Sequence, residues 1–245
     1  MIHGLYTAAA GMLVQQTSLD ANANNLANAS TAGYRRQLVS VNAFPQMLEA
    51  AWDAIPPAGE MSDAFVLSSA MSTDRAAGIL RQTGNPGDLA IRGDGFFVIR
   101  AASGEKVLTR NGAFTLNSDN QLATTDGWLV LGERGPIAID SANWQVDPSG
   151  QVLVDGQAVD RLRIEAPANP AAMSRIGDTR WMAGDAAPVR NATVEQGYLE
   201  SSNVNIVAEM VALITATRSF EASQRCVQAL DSTLDRAVND IGRTA

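Results

Sequence analysis

The chain has few of the residues on which enzymes and disulfide-rich proteins depend. Among its 245 residues there is one cysteine, Cys226, and one histidine, His3. A single cysteine excludes an internal disulfide and a metal site built from several cysteines. The commonest general base is almost absent, because the only histidine lies ahead of the first helical pattern. We therefore expect a non-enzyme without metal or cofactor, in which Cys226 is a packed or interfacial thiol.

Basic residues and long apolar runs are also scarce. The formal net charge is −8, which argues against nucleic-acid binding because that binding needs a basic face. No apolar run approaches the ~20 residues of a membrane-spanning helix, so we expect a protein that is not inserted in a membrane. No Lys or Arg precedes Arg35, which argues against a secretory signal. If the protein leaves the cytoplasm, we expect another route and an uncleaved N-terminus.

Helical spacing marks the N-terminal part, from about Gly4 to Asn28. Four apolar residues recur there every seven positions, which is the spacing of a coiled-coil seam; they are Leu5, Met12, Leu19 and Leu26. Several asparagines make this helix weak by itself, so its stability has to come from packing. Residues 30–33 are predicted to end the helix, with Gly33 at a positive φ.

A second helical pattern runs from about Asn205 to Arg243. Its apolar seam alternates steps of three and four residues and includes Met210, Leu213, Phe220, Val227 and Leu234. Asn203 or Asn205 is predicted to cap its start. Gln224 and Asp231 interrupt the seam. Such polar residues either fix register and partner choice or simply face solvent.

The middle of the chain is predicted to be antiparallel β structure. Short β-favouring runs alternate there with Gly-containing turns such as Asn111-Gly112 and Asp126-Gly127. The predicted fold class is therefore α+β, in which N- and C-terminal helices pair as a coiled-coil-like bundle beside a central antiparallel β domain. The predicted boundaries are a helical assembly domain at 1–34 and 203–245, an extended linker at 35–88, and a β-rich outer domain at 89–202.

Candidate chemical motifs in the β region are better explained as turns and solvated charges. The glycines of residues 93–95 lack the spacing of a phosphate loop, and residues 117–120 lack the alternating ligands of a calcium loop. Asp147 with Asp155, or Glu195 with Glu200, could be proposed as catalytic carboxylate pairs. Nothing in the sequence shows that either pair converges, so we expect solvated side chains.

Several blocks of the sequence resemble the flagellar basal-body rod and hook protein family. Residues 24–34 (NNLANASTAGY) resemble its N-terminal signature, and residues 88–97 (DLAIRGDGFF) and 109–114 (TRNGAF) resemble its central motifs. Residues 196–205 (QGYLESSNVN), with 209–211 and 218–221, match its C-terminal signature. The blocks occur in the order typical of the family and span nearly the whole chain.

This resemblance implies an axial subunit of the bacterial flagellum, located in the periplasm-spanning rod. Such proteins pack both terminal helices into the wall of a tube, hold a β domain outside it, and are exported unfolded through the flagellar type III apparatus. The implied partners are further copies, other rod subunits, the hook, basal-body ring components and the export apparatus. Within the family, the chain looks most like proximal rod members, with distal rod members next and the longer hook proteins last.

The predicted assembly interface combines the two apolar seams with four asparagines that are candidate caps or cross-subunit hydrogen-bonding groups. Its members are Leu5, Met12, Leu19, Asn25, Leu26, Asn28, Asn203, Asn205, Met210, Leu213, Phe220, Val227 and Leu234. The alternative interpretation is that the same seams fill the core of a soluble monomer. A soluble β-rich enzyme or binding module with helical ends is the alternative from another functional class.

Overall fold

The computed structural model describes residues 2–43, 67–101, 103–169, 173–177, 179–182, 184–189 and 191–242. The chain divides into two compact units. The first, here called the helical unit, comprises Met1–Ala27, Arg36–Asp74 and Asn205–Ala245. The second, here called the β unit, comprises Asn28–Arg35 and Arg75–Val204. Residues 44–66 of the predicted linker lie outside the described residues.

The helical unit contains helices α1 (Ile2–Ala27) and α2 (Ile206–Gly242), as the apolar periodicity predicts. The two helices pack against each other. Among the side chains of α1 that the structure describes, those of Val14, Ala21 and Asn25 are buried, and on α2 the buried ones include Ala216. The alanines among these positions leave room for the packing of the two helices. Leu19 and Leu26 are half-buried, whereas Leu13 is 67% exposed.

A pair of antiparallel strands completes the helical unit, within the stretch that the sequence predicted to be an extended linker. Strand β1 (Gln37–Ala43) pairs antiparallel with β2 (Leu67–Thr73), with Gln37 opposite Thr73 and Ala43 opposite Leu67. The partner of each strand lies far along the chain, so no local turn signal marks this pairing.

The β unit consists of short antiparallel strands, which confirms the predicted α+β class. The strands are β3 (Leu80–Gln82), β4 (Leu89–Arg92), β5 (Phe96–Arg100), β6 (Lys106–Thr109), β7 (Phe114–Leu116), β8 (Leu122–Thr124), β9 (Leu129–Val130), β10 (Trp144–Val146), β11 (Gln151–Val154), β12 (Gln157–Arg161), β13 (Ile164–Pro167), β14 (Ser174–Arg175), β15 (Arg180–Met182), β16 (Ala186–Pro188), β17 (Thr193–Gln196) and β18 (Tyr198–Glu200).

The largest sheet of this unit has the order β14-β15-β6-β5-β9-β8-β7, and β13 joins it by pairing with β5 and β16. Strands β10, β11 and β12 form a three-stranded sheet, and β4 pairs with β17 and β3 with β18. The main core is mostly aliphatic and also holds Phe97 and Phe114, whose rings meet edge to face at 5.2 Å. Burial of this apolar surface stabilises the unit.

The predicted positive φ at Gly33 is confirmed, and a second positive φ occurs at Asn120. Gly33 has φ 68°, and Asn120 has φ 56° within the 117–121 turn. Glycine takes this left-handed region without a Cβ clash, and asparagine tolerates it better than most residues do. Among the described helices, none is both long enough and apolar enough to cross a lipid bilayer.

Candidate functional site

The first turn of α2 carries a buried carboxylate that organises the helical unit. Glu209 is 1% exposed and forms an ion pair with Arg36, its Oε1 lying 2.5 Å from Nε. Asn25 of α1 donates a hydrogen bond from Nδ2 to Oε2 of Glu209 at 3.3 Å. The carboxylate lies near the N-terminus of α2, where the positive end of the helix dipole stabilises its negative charge. This cluster joins α1, α2 and the start of β1.

Asn25 also completes the hydrogen bonding of β1. Its Nδ2 donates to the carbonyl of Gln37 at 2.9 Å, and its Oδ1 accepts from the Gln37 amide at 2.8 Å. The side-chain amide thereby takes the place of a neighbouring strand. Asn25 is fully buried, so its described hydrogen bonds lie inside the helical unit.

Helix α2 presents an uncovered apolar face in its N-terminal half. The face, here called the α2 ridge, follows helical spacing and consists of Val207, Met210, Val211 and Ile214. Val207 is 71% exposed and Ile214 is 52% exposed. Contiguous exposed apolar surface of this kind is typical of an interaction site.

A groove of about 410 Å³ lies in the same unit between α1, β1 and α2. Small or polar side chains line most of it; they include Gln15, Ser18, Asn22, Ala212, Thr215, Ala216 and Ser219. A groove lined by short side chains can admit larger side chains from another molecule.

The other predicted interface residues occupy varied positions. In α1, Met12, Leu19 and Leu26 are half-buried, and the side chain of Leu5 lies outside the described ones. In α2 the half-buried members are Leu213, Phe220, Val227 and Leu234. Asn205 caps α2, because its Oδ1 accepts the Ala208 amide at 3.1 Å. Asn28 accepts the Thr31 amide at its carbonyl.

The β unit contains a buried ion cluster that the sequence did not predict. Glu200, 2% exposed, lies between two arginines. Its Oε1 is 2.7 Å from Nη2 of Arg35, and its Oε2 is 3.1 Å from Nη1 of Arg110. The expectation that Glu200 is a solvated charge is therefore wrong. A buried carboxylate needs compensating charges, and these arginines supply them.

Two close backbone approaches bring the segments of this cluster together. A Cβ added at Gly33 would lie 2.4 Å from the carbonyl carbon of Arg110, and one at Gly78 would lie 1.7 Å from the carbonyl oxygen of Ser201. Beside them Tyr34 is fully buried, with the Arg175 guanidinium 4.4 Å from its ring centroid. Residues 28–35 are thus an integral part of the β unit.

Burial affects the protonation equilibrium of Arg110. Loss of solvation lowers its pKa from the ordinary value of an arginine, while the neighbouring Glu200 carboxylate opposes this shift. The guanidinium is held by Glu200 and by the carbonyls of Ile91 and Gly93. Its charge is therefore fixed in position by several acceptors.

The carboxylates that could have formed catalytic pairs have separate structural partners. Glu195 forms an ion pair with Arg92 at 2.6 Å, and Asp155 accepts a hydrogen bond from Ser141. Asp147 accepts bonds from Ser149 and from the Gln151 amide in a turn. In the described part of the chain, no group of three or more His, Cys, Asp or Glu side chains is arranged to hold a metal ion.

Comparison with known families matches three parts of the chain. Residues 5–35 match the family described as "Flagella basal body rod protein". Residues 90–154 match "Flagellar hook protein FlgE/F/G D1 domain", and residues 195–240 match "Flagellar basal body rod FlgEFG protein C-terminal". The first and last matches cover most of the two helices of the helical unit, and the middle match lies in the β unit.

Individual relatives match over almost the whole chain. The flagellar basal-body rod protein FlgG of Agrobacterium fabrum is 35% identical, covering 94% of this chain and 96% of the relative. The flagellar basal-body rod protein FlgF of Escherichia coli is 32% identical, covering 97% of each. The flagellar hook-basal body complex protein FlhO of Bacillus subtilis is 28% identical, covering 99% of this chain and all of the relative.

Proposed function

The chain belongs to the flagellar basal-body rod protein family, and from this we propose that it polymerises helically through its terminal helices. It is a structural subunit of the rod in the flagellar basal body. In the proposed assembly, the helical units form the wall of a tube around the export channel, with their helices paired as in a coiled coil. The tube transmits torque and carries out no catalysis.

The observation that carries this proposal is the uncovered α2 ridge. A soluble monomer stabilises itself by burying such residues, whereas Val207, Met210, Val211 and Ile214 are exposed on one helical face. Each apolar side chain of this kind contributes about 1.5–3 kcal/mol when it is fully buried. Repeated contacts between copies of the helical unit would bury the ridge, and this gives the assembly its driving force.

The polymer is open when the ridge of one copy meets a different surface on the next. Contacts between unlike surfaces generate helical filaments unless the rotation closes a ring. The groove between α1, β1 and α2 is one such different surface in the helical unit. Other rod subunits, the hook and the ring components are the further partners that we propose. The type III export apparatus is the proposed route out of the cytoplasm.

Within the rod, we propose a position in the proximal segment, supported by the short chain, the brief segment 35–83 and residues 131–137 (LGERGPI). The distal rod is the alternative position, and a hook-type position ranks below it. Gold labelling of a tagged chain in isolated basal bodies tests the position. Label near the membrane-proximal end of the rod is expected, and label at the hook-proximal end would favour the distal assignment.

Charged substitutions in the two helices test the assembly mechanism. Leu19→Asp and Leu213→Asp are each expected to stop swimming while the protein is still made and exported. A carboxylate at either half-buried position is costly once the helices pack in the tube wall. Leu116→Asp, at an exposed leucine of the β unit, is the matched control and is expected to leave swimming intact. Normal swimming of both helix variants would contradict the proposed seams.

A further inference from the structure

The backbone passes between the two units at four places. These passages lie between residues 27 and 28, 35 and 36, 74 and 75, and 204 and 205. On the β-unit side they leave from three segments, 28–35, 75–78 and 200–204. Any force passed along the chain between the units has to enter the β unit through these segments.

Arg35 lies in the first of these segments and bonds to both of the others. Its guanidinium pairs with Glu200 at 2.7 Å. The same guanidinium donates to the carbonyls of Arg75 and Ala76. A planar guanidinium can serve several acceptors at once, which a single ammonium group does less well.

Further hydrogen bonds link the same segments directly. The Gly33 amide donates to the carbonyl of Glu200 at 2.8 Å, and the Gly78 amide donates to its Oε1 at 2.9 Å. Asn203 donates from Nδ2 to the Ala76 carbonyl at 3.0 Å. Each of the three segments is therefore bonded to both of the others.

Arg110 anchors this arrangement in the sheet core. It pairs with the second oxygen of Glu200 at 3.1 Å and donates to the Ile91 carbonyl at 2.9 Å. Ile91 belongs to β4, which packs in the main hydrophobic core. The three segments are thus held both to one another and to the most buried part of the unit.

We propose that Arg35, Glu200 and Arg110 form a junction clamp that makes the three connecting segments resist force as one body. The proposal rests on the proposed torque-transmitting function. Apolar residues of similar volume are often as stabilising as a buried ion pair, so stability alone does not explain the cluster. The clamp distributes mechanical load: a force applied to one segment is also borne by its hydrogen bonds and ion pairs to the other two.

Amide exchange of the purified full-length chain tests the clamp independently of the flagellum. Arg35→Lys keeps the charge but loses the planar set of donors. Amide exchange at Gly33, Gly78 and Ser201 is expected to accelerate by about tenfold or more. The variant loses hydrogen bonds that the charged Arg35 guanidinium donates, and each such bond is worth at least that factor. The Leu122 amide, bonded to Ile137 in the sheet, is expected to keep its rate.

Arg163→Lys is the matched control, because Arg163 pairs with Glu165 and is about one-third exposed. It is expected to leave the three amides unchanged. Equal acceleration of every protected amide in Arg35→Lys would show an ordinary loss of stability and overturn the clamp. Unchanged exchange at Gly33, Gly78 and Ser201 would also overturn it.

Motor measurements under load test the mechanical role. Cells carrying Arg35→Lys or the milder Asn203→Ala are expected to rotate normally in dilute buffer and to lose torque or filaments in viscous medium. Wild-type rotation in viscous medium by both variants, despite accelerated exchange, would overturn the mechanical role. Absence of the wild-type chain from isolated basal bodies would instead contradict the proposed function and leave the exchange result standing.

Discussion

Nη2 of Arg35 lies 2.7 Å from Oε1 of Glu200, and both side chains are almost completely buried. One residue belongs to the N-terminal segment of the β unit and the other ends its last strand. Their pairing therefore depends on a folded chain in which both ends of the β unit have been brought together. Removal of the Glu200 charge is therefore expected to destabilise the whole β unit.

Glu200→Gln is expected to lower the free energy of unfolding of the β unit by about 3–5 kcal/mol. The change leaves the charges of Arg35 and Arg110 buried without a counter-charge, which costs this much in comparable sites. Urea unfolding of the full-length chain, followed by tryptophan fluorescence, measures the loss.

Glu195→Gln is the matched control, because it removes a carboxylate from the same part of the chain. Its partner Arg92 is 67% exposed in its side chain, so the loss is expected to stay below about 1 kcal/mol. Equal losses in the two variants would show that burial of the ion cluster has no special energetic weight.

Gly78→Ala is expected to destabilise the β unit by about 1–3 kcal/mol, as overpacking commonly does. The added methyl would lie 1.7 Å from the Ser201 carbonyl oxygen. Backbone has to move to accommodate it. Thermal unfolding monitors the change, and Gly184→Ala is the control because nothing lies within 4 Å of its added Cβ. A control as unstable as Gly78→Ala would contradict the steric explanation.

The double variant Val211→Ser/Ile214→Ser is expected to keep the stability of the monomer and to weaken self-association. Both side chains are already exposed in the single chain, so their removal leaves its core intact. Sedimentation of the full-length chain at increasing concentration measures association. Gln228→Ser, at an exposed position further along α2 and outside the predicted seam, is expected to associate as the wild type does. Unchanged association of the ridge variant would exclude the ridge from the interface.

Asp147 is expected to make part of the stability of its turn dependent on pH. Burial favours the neutral acid, but hydrogen bonds from the Ser149 hydroxyl and from the Gln151 and Ser149 amides prevail and lower the pKa of Asp147. A carboxyl with a lowered folded-state pKa stabilises above its unfolded value of about 3.9. This contribution is lost as the pH falls through the lowered folded-state pKa.

Titration of the Asp147 carboxyl by NMR between about pH 6 and pH 2 measures this directly. Ser149→Ala removes one of the donors and is expected to move the pKa back toward its ordinary value. An unchanged pKa in this variant would show that the hydroxyl hydrogen bond does not cause the shift.

Local signals in the sequence predicted the regular elements well. The helices at 2–27 and 206–242 follow from apolar periodicity, and the turn at Gly33 follows from a residue that takes a positive φ without a Cβ clash. The cap at Asn205 was also predictable, because its partner amide lies only three residues further along the chain.

The distant contacts were not predictable in this way. The β1–β2 pairing joins strands without a short turn between them, so a window along the chain shows no sign of it. The local sequence does not distinguish Glu200 or Glu209 from a solvent-exposed glutamate. Each is nevertheless buried and paired with arginine from a remote segment. Only their position within the blocks that resemble the family signature could have suggested a special role, and those blocks do not specify their partners.

The sequence by itself determined the helical ends, the β-rich middle, the left-handed turns and the family, because these depend on periodicity and on residues close together in the chain. The tertiary structure alone decided which charges are buried and which apolar face stays uncovered. Arg35, Arg110 and Glu200 become a cluster only when distant segments pack, and the same packing leaves Val211 and the rest of the α2 ridge uncovered. Burial is a property of that packing, and it sets both the energetic weight of a charge and the availability of a surface.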